Sequence, residues 1–409
     1  MTLGARAQAL EGLRVIEFGA FAAGPAIGKH AANHGAQVIH VETRTRVDGF
    51  RMNYPPFKDN QPGLERAAQF AMTNDCKLGI TLNLKADEGR SLALRLIAVS
   101  DVVIENFPPG TMKRLGLEYD ILSEVNPRLV MLSTCNQGQT GPHAKHPGFG
   151  TQLTAMSGFI HFTGWPDREP SLLWGPYIDY IAVAYGLVAV LAALDQRLRT
   201  GRGCHIDLSQ YETGLQLLAP ALVEYSTTGA TSERDGNHDR LAVPHGVYPC
   251  MGDERWVAIS VHDDSEWHRL RSAMGDPEWA QPEALGSVSG RRSTEAELDL
   301  AIADWTRTLA RDEVVACLRE ARIHVAPVND MADIFDDGQL NSMRIWRQLE
   351  HPQIGRMSFQ GPAFLLSDTP AVIDRPAPLL GQHNREVFCG TLGLTDAEYE
   401  RLERAGVFD

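Results

Sequence analysis

The sequence predicts an α/β protein in which a large Rossmann-like parallel sheet is joined to a smaller α+β domain. The first observation is a pair of apolar strands at residues 13–19 and 37–42, separated by a helix that begins near Pro25. A strand, a helix and a strand within about 30 residues favour a parallel sheet. The second is that strands and helices keep alternating to about residue 210. The third is a change of pattern after about residue 225, where two strands flank a short turn.

Further strands of the predicted sheet follow in order along the first half of the chain. They lie at 78–84, 101–107 and 129–133, with a helix at 87–99. The second of them carries Asn106 and Phe107 at its carboxyl end, and ligands of open α/β sheets bind beyond such ends. Thr111 is predicted to cap the short helix that comes next. The pattern GxGxxG is absent, so a nicotinamide or flavin dinucleotide site is not supported.

The second half of the chain is predicted to form a smaller domain and an extended tail. Residues 246–250 and 256–261 form a predicted hairpin, and helices follow near 263–274, 294–308 and 311–320. The tail is rich in proline until Thr395, which is predicted to cap a last helix. The predicted domains are the large domain at 1–224, the small α+β domain at 225–325, and a C-terminal segment at 326–409 that returns to the large domain.

The composition predicts a globular protein of the cytoplasm. A net charge of −14 argues against nucleic acid as a partner, because proteins that bind it carry a basic surface. Residues 1–6 lack the apolar run of a secretory signal. The six cysteines show no CxxC pairing, which is typical of reduced thiols. The histidines show neither HExxH nor zinc spacing, so no metal is predicted.

One uncharged stretch, residues 180–194, is rich in alanine and leucine and is bounded by two aspartates. It predicts a helix buried on nearly every face. Fifteen residues are too few to span a bilayer, which needs roughly 20, so no membrane partner is predicted. Asp179 lies where this helix begins. Two interpretations stay open for it: a carboxylate that caps the helix, and a rigidly held, desolvated nucleophile.

Short motifs recur in a fixed order over almost the whole chain. They are LEGLRVIE at 10–17, AGP at 23–25, GAQVIHVE at 35–42, ENFPPG at 105–110, LGL at 115–117, NPRL at 126–129, TGRG at 200–203, APVN at 326–329, HP at 351–352 and LGQH at 380–383. In this order they resemble the family III CoA-transferases, which include formyl-CoA:oxalate CoA-transferase and the carnitine CoA-transferases. The resemblance implies an interlaced dimer in which each chain threads through its partner.

The family's nucleophilic aspartate corresponds to Asp179. The resemblance implies that this carboxylate attacks an acyl-CoA thioester, giving a mixed anhydride and free CoA thiolate. The thiolate then forms an aspartyl-CoA thioester, from which the acceptor carboxylate takes the CoA. A carboxylate is required because it forms an anhydride close in energy to a thioester, and water must be excluded because it would hydrolyse both intermediates. Coenzyme A is thus implied as a substrate, with no permanently bound cofactor.

The resemblance also implies a set of residues that contact coenzyme A. They are Phe21, Ala22, Thr43, Asn74, Lys77, Asn106, Phe107, Arg114 and Lys145. A cation near a strand end and a helix N-terminus suits the pyrophosphate, which supports Arg114. Thr43 departs from the oxalate-using members, which have arginine there, and Arg44, Arg46 or Arg51 is a candidate for the missing charge. The residues His143, Lys145, His146 and Arg168 are also candidates for binding a second substrate carboxylate, the alternative being ordinary loop charge.

Two positions bear on the type of reaction. The superfamily's racemases pair the aspartate with a histidine, which supplies the second of two bases at the α-carbon. Phe149 stands where that histidine would be, so transfer is favoured over the alternative, a racemase or isomerase. Many transferases have Asp or Glu where Gly150 stands, so an unusual acceptor side is expected. The loop at 236–239 lies near the family's mobile glycine loop but contains fewer glycines.

Several aromatic residues near Asp179 in sequence indicate either ordinary core or a site for a bulky acid. They are Phe159, Phe162, Trp165, Trp174 and Tyr177. The general pattern is comparable to that of family members that use arylsuccinates and are built from two related subunits. It predicts succinyl-CoA as donor and an arylsuccinate, such as benzylsuccinate, as acceptor. The chain is expected to act as a homodimer or with a related subunit, and a third alternative is a non-catalytic partner subunit that binds CoA.

Overall fold

The structure is a computed structural model, which describes residues 8–409. The predicted absence of a secretory signal concerns residues 1–6, which lie outside the described residues. The chain divides into two compact units. The first comprises the chain up to Phe159, Leu172–Ala230 and Gln339–Asp409, and the second comprises Ile160–Ser171 and Thr231–Gly338.

A six-stranded sheet, parallel throughout, is the centre of the first unit. Its strands are β1 Arg14–Phe18, β2 Gln37–Glu42, β3 Leu78–Thr81, β4 Val102–Glu105, β5 Val130–Cys135 and β6 Cys204–Ser209. Their spatial order is β3-β2-β1-β4-β5-β6, and every neighbouring pair is parallel. The predicted Rossmann-like α/β fold is confirmed. The order reverses between β1 and β4, and in such sheets ligands bind at this point, beyond the carboxyl ends of the strands.

The helices pack around this sheet and within the second unit. In chain order they are α1 Ala23–Asn33, α2 Gly49–Met52, α3 Ala68–Thr73, α4 Asp87–Ala98, α5 Thr111–Arg114, α6 Tyr119–Val125, α7 Gly150–Met156, α8 Phe159–Phe162, α9 Tyr177–Thr200, α10 Gln210–Leu217, α11 Ala219–Thr228, α12 Asp264–Ala273, α13 Val288–Ser293, α14 Glu295–Thr306, α15 Arg311–Glu320, α16 Met331–Asp336, α17 Gly338–Ser342 and α18 Asp396–Arg404. The prediction that Thr111 caps α5 is wrong. Gly110 precedes that helix with φ of +78°, and the Thr111 hydroxyl instead accepts a hydrogen bond from Arg114 Nη2 at 2.8 Å.

Helix α9 differs from the prediction in length and in burial. It has 24 residues, of which Val183 and Val190 pack against α1 and the sheet. Its opposite side is exposed, with Val188 at 66% and Leu198 at 77%, so burial on nearly every face is wrong for the single chain. In residues 8–409 it is the one helix whose length and apolarity are sufficient to cross a membrane, which alone is weak evidence. The length argument against a membrane span therefore does not hold.

The second unit is built on a three-stranded antiparallel sheet. Its strands are β7 His245–Pro249, β8 Trp256–Ser260 and β9 His324–Val328, in that spatial order. The predicted hairpin is β7–β8, and the three predicted helices are α12, α14 and α15, so these elements are confirmed. The predicted boundaries of the small domain, at residues 224 and 325, stay a prediction.

The C-terminal part of the chain is more ordered than its prolines indicated. Strands β10 Trp346–His351 and β11 Gly355–Gln360 form an antiparallel hairpin, so the prediction of an extended tail is wrong for these residues. The prolines at 352 and 362 follow the two strands rather than interrupt them, which is where proline is tolerated. Thr395 caps α18 as predicted: its hydroxyl accepts from Glu398 N at 3.3 Å, and Thr395 N donates to the Glu398 carboxylate at 2.9 Å.

Candidate active site

Asp179 lies in the first turn of α9, and within residues 8–409 its carboxylate has no hydrogen-bond or ion-pair partner. The helix begins at Tyr177, and Asp179 N donates to Pro176 O at 3.0 Å. The interpretation of Asp179 as the helix cap is therefore wrong, since the residue is already helical. Throughout residues 8–409 no hydrogen-bond donor or cation contacts its half-buried carboxylate. The group is left free to react.

Burial raises the pKa of Asp179 to about 7, with no compensating charge. A carboxyl group in this position is half ionised near neutral pH rather than fully ionised. Its anion is poorly solvated, and an anion that water and protein do not stabilise is the stronger nucleophile. The N-terminus of α9 carries partial positive charge, which favours an anion at this position.

Gly150, the first residue of α7, lies directly against Asp179. A β-carbon at position 150 would be 2.9 Å from Asp179 Cγ and 2.5 Å from Pro176 Cβ. Contacts this short are not seen between real atoms, so any side chain at position 150 requires α7 or Asp179 to move. Gly150, which stands where many transferases have Asp or Glu, is thus in contact with the predicted nucleophile.

Phe149 precedes Gly150 and presents an aromatic ring instead of a base. Its ring is 59% exposed, and its backbone N–H donates to Gln152 Oε1 at 3.0 Å. The ring packs edge-on against Phe21, with 5.9 Å between ring centroids. Phe21 follows β1 and has φ of +66°, a left-handed conformation that bulky residues rarely adopt. The structure thus brings the predicted CoA contact Phe21 next to Gly150 and Asp179, whereas the Ala22 side chain is buried.

Asn106, at the carboxyl end of β4, forms two hydrogen bonds with the loop after β1. Its Nδ2 donates to Ala20 O at 2.7 Å, and its Oδ1 accepts from Ala20 N at 3.0 Å. A β-carbon at Gly19 would lie 2.0 Å from Asn106 Oδ1, so glycine is required there. Phe107 N donates at 2.8 Å to Glu105, a buried carboxyl whose pKa burial raises to about 7. The predicted pair Asn106 and Phe107 is therefore at the switch point, with the Asn106 amide already occupied.

The remaining predicted contacts with coenzyme A lie on the surface around these loops. Arg114 and Lys145 are exposed, and Thr43 is half-buried and accepts from Arg46 N at 3.0 Å. No hydrogen bond or ion pair within residues 8–409 joins these three residues to Asp179. Arg51 does not supply the charge absent at Thr43, because its guanidinium is buried against Glu42.

Lys77 and Asn74 form part of a buried network instead of an open binding surface. Lys77 Nζ is fully enclosed and donates to both Glu17 oxygens (2.9 and 3.0 Å), to Asn74 Oδ1 (2.8 Å) and to Pro25 O (2.7 Å). Glu17 also accepts from His40 Nδ1 at 2.6 Å. Contact between the Lys77 ammonium and a nucleotide would require these bonds to break. We therefore leave Lys77 and Asn74 out of the proposed binding site.

The aromatic residues near Asp179 in sequence do not form one cluster within either unit. Phe159 and Tyr177 pack edge-on in the first unit, with 5.7 Å between centroids, and Trp174 is 96% exposed. In the second unit, Trp165 packs against His238 of the loop at 236–239, with 6.3 Å between centroids. Across residues 8–409, no group of three or more His, Cys, Asp or Glu side chains is arranged to hold a metal ion.

The chain belongs to CoA-transferase family III, whose family model matches residues 10–384. It is 34% identical to the succinyl-CoA–D-citramalate CoA-transferase of Chloroflexus aurantiacus, over 96% of both chains. It is also 34% identical to the alpha and beta subunits of the succinyl-CoA–L-malate CoA-transferase of that organism, over 96% of this chain, 91% of the alpha subunit and 96% of the beta subunit. A crystal structure of a CAIB/BAIF family protein from Brucella suis superimposes with a TM-score of 0.86 at 30% identity, over 94% of this chain and 100% of that one.

These findings confirm the predicted family and class of enzyme. The protein is a family III CoA-transferase, and such enzymes use CoA thioesters as substrates.

The sequence analysis did not identify Asp48, whose carboxylate accepts a hydrogen bond from the backbone N–H of Phe21 at 3.0 Å. Asp48 also caps α2, and that local signal is visible in the sequence. Its bond to a residue 27 positions away is not.

Replacing Asp179 by asparagine should stabilise the protein at high pH. The folded-state pKa of about 7 exceeds the unfolded value of about 3.9, so the native state binds the proton more tightly. Stability is therefore lost as pH rises from about 4 to about 7. After allowance for partial exposure, we expect the free energy of unfolding of D179N to exceed that of wild type by about 1–2 kcal/mol at pH 8. At pH 3.5 the two proteins should be equally stable. Urea titrations at both pH values measure this, with the exposed Asp195→Asn on the same helix as control. Equal stability at pH 8 would contradict the prediction.

Replacing Gly150 by alanine should lower kcat/KM for acyl-CoA by about 10–100-fold, because small displacements of a reacting group have effects of this size. The new β-carbon would overlap Pro176 and the Asp179 carboxylate. Steady-state kinetics measure the change. Gly390→Ala is the matched control, since no atom lies within 4 Å of its added β-carbon. Unchanged kinetics in G150A would show that Asp179 is not held against this residue.

Replacing Lys77 by methionine should lower the free energy of unfolding by about 3–5 kcal/mol, since it leaves the buried Glu17 carboxylate without its cation. The double variant E17Q/K77M should lose less, because the buried charge is also removed. Urea unfolding measures both. Lys113→Met, at an exposed lysine, should change stability by less than about 0.5 kcal/mol. A K77M variant as stable as K113M would contradict the structural role.

Proposed function

We propose that this enzyme transfers CoA from succinyl-CoA to a 2-substituted succinate, with Asp179 as the nucleophile. The observation that carries the proposal is the desolvated, unpartnered Asp179 carboxylate at the start of α9, in contact with the Gly150 backbone. A carboxylate without a partner cannot be explained as part of an ion pair, and a strongly perturbed pKa in such a place is typical of a functional group.

The relatives support the choice of donor and acceptor. The citramalate and malate enzymes are both named for succinyl-CoA as donor. Malate and citramalate are succinates that carry different groups at carbon 2, and benzylsuccinate, the acceptor predicted from the sequence, is a third. The shared succinate framework is the proposed recognition element, and the size of the group at carbon 2 distinguishes the acceptors.

The proposed reaction proceeds in four balanced steps. An Asp179 oxygen attacks the thioester carbon of succinyl-CoA, which gives a succinyl-aspartyl anhydride and CoA thiolate. The thiolate attacks the aspartyl carbonyl, forms aspartyl-CoA and releases succinate. The acceptor carboxylate attacks aspartyl-CoA, which gives a second anhydride and returns the thiolate. The thiolate then attacks the acceptor carbonyl, forming the new acyl-CoA and regenerating the Asp179 carboxylate.

Coenzyme A is proposed to lie along the carboxyl edge of the sheet at the switch point. The loop with Phe21 and the loop with Phe107 flank this point, since they follow β1 and β4. The exposed Arg114 and Lys145 are suited to the pyrophosphate and to a substrate carboxylate. Thr43 stays in the proposed site at the adenosine end, with the exposed Arg44 or Arg46 as the source of charge.

A second chain is proposed to cover the open side of α9. Together with α10 and α11 this helix exposes a series of large apolar side chains, namely Tyr180, Tyr185, Val188, Leu191, Leu198, Leu217, Leu222, Val223 and Tyr225. Exposed apolar surface of this extent is typical of an interface. The proposed assembly is an interlaced dimer, formed either by two copies or with a related subunit, as in the relative named for alpha and beta subunits. The cytoplasm is the proposed compartment, since the substrates are CoA thioesters.

The test is covalent trapping followed by a panel of acceptors. We expect succinyl-CoA to label wild-type protein at Asp179, detectable by mass spectrometry after hydroxylamine treatment, which converts the activated carboxyl into a hydroxamate. D179A should bind CoA and show neither labelling nor transfer. Wild type should then convert malate, citramalate or benzylsuccinate into its CoA thioester. Absence of labelling would indicate a supporting subunit, and exchange of an α-proton for solvent deuterium without transfer would indicate a racemase.

A further inference from the structure

Phe21 holds a backbone conformation that its own side chain opposes. Its φ of +66° lies in the left-handed region, where a β-carbon crowds the backbone. Non-glycine residues remain in this region only when their surroundings hold them, and they are concentrated at functional sites. The residues that hold Phe21 are therefore informative about the site.

Asp48 is the main polar group that holds Phe21. One carboxylate oxygen, Oδ1, accepts hydrogen bonds from Phe21 N at 3.0 Å and from Phe50 N at 2.8 Å. The other oxygen is buried and has no hydrogen-bond partner in the described residues. Burial raises the pKa of Asp48 to about 6. A buried carboxylate with one unsatisfied oxygen is costly, so its retention calls for a role beyond capping the four-residue helix α2.

The ring of Phe21 is positioned as firmly as its backbone. It packs edge-on against Phe50 and Tyr54, with centroid distances of 5.6 and 5.9 Å. Gly49 leaves the necessary space, because a β-carbon there would lie 2.2 Å from the Phe21 ring. The backbone of Gly49 has an ordinary φ, so the contact with the ring is what disfavours a side chain at this position.

An ion-pair group lies beneath Asp48 and holds it in place. Asp48 N donates to Glu42 Oε2 at 2.9 Å. Glu42 is paired with Arg51 at 2.8 Å, and Arg51 is paired with Glu65 at 2.6 Å. The Arg51 guanidinium also stacks on Phe70, 3.5 Å from its ring centroid. These buried groups explain why Asp48 cannot turn away from Phe21.

The other side of Phe21 contacts Phe149, the residue that precedes Gly150. Gly150 in turn lies against Asp179. Asp48 is therefore connected to Asp179 through two rings and one backbone contact, all within the first unit. The exposed ring of Phe149 and the half-buried ring of Phe21 form a continuous apolar surface that adjoins Gly150 in the chain.

We propose that Asp48 is a positioning residue, which holds Phe21 so that the rings of Phe21 and Phe149 form the surface on which the pantetheine and thioester part of acyl-CoA rests beside Asp179. This inference rests on the proposed function. Asp48 itself touches no substrate. Its whole effect on acyl-CoA passes through Phe21, and this makes the inference testable by double substitution.

The experiment is a double-mutant cycle with D48A, F21A and D48A/F21A, measured as KM and kcat for succinyl-CoA and as the Kd for free CoA. We expect D48A to raise KM and to lower kcat/KM at least tenfold. D48N, which retains an oxygen acceptor, should recover most of this loss. In the F21A background, D48A should change kcat/KM less than twofold, because the residue through which Asp48 acts is gone. Independent, multiplicative effects of the two substitutions would overturn the inference, as would a D48A enzyme within twofold of wild type.

A second route avoids loss of the buried carboxylate, in case D48A does not fold. G49A should displace the Phe21 ring and raise KM at least fivefold, while F21A/G49A should equal F21A. Gly390→Ala is the control, since no atom lies within 4 Å of its added β-carbon. A G49A enzyme with unchanged KM would overturn the inference. If wild type itself transfers no CoA, the proposed function fails, and the Kd for free CoA across the same cycle still decides whether Asp48 acts through Phe21.

Discussion

Within residues 8–409, no cation and no hydrogen-bond donor contacts the Asp179 carboxylate, and the proposed site depends on this feature. Burial raises the pKa of Asp179 to about 7, and nothing in residues 8–409 offsets that effect. Stability alone would favour a partner for this group, since an uncompensated buried charge is unfavourable. The fold instead places a glycine backbone against it. The local loss of stability is the expected cost of the role proposed for Asp179, since a nucleophile must stay unpaired.

Two other buried carboxylates of the first unit, Glu17 and Glu42, show the opposite arrangement. Glu17 is paired with Lys77 and His40 inside the sheet, and Glu42 is paired with Arg51 beneath the loop at Asp48. Each of these carboxylates has its pKa lowered by its cation, although burial acts in the other direction. Within residues 8–409, Asp48 and Glu105 form no ion pair, and both accept hydrogen bonds from backbone N–H groups of loops at the switch point. The two carboxylates without an ion pair thus bind the loops that flank the proposed site.

The parts of the fold that depend on local pattern were predictable from the sequence. The alternation of apolar strands and helices was sufficient for five strands of the parallel sheet. Asp179 was assigned through the resemblance to the family, and its catalytic role stays a prediction. Edge strand β6 was missed because it alternates exposed and buried residues instead of being apolar throughout. The burial of Lys77 was not predictable, since its partner Glu17 is 60 positions away. The residue type of Arg51 did not distinguish between two roles, a contact with coenzyme A and the observed ion pair with Glu42 beneath the loop at Asp48.

Helix α9 carries the unpaired carboxylate of Asp179 at one end and an exposed apolar side along its length. With 24 residues it is about 36 Å long, so both features belong to one rigid rod. A newly synthesised chain without a partner subunit leaves this apolar side exposed to water. Such a chain is prone to aggregation and to recognition by chaperones and proteases. In the proposed assembly this side is covered, so the lifetime of each chain would depend on its being assembled.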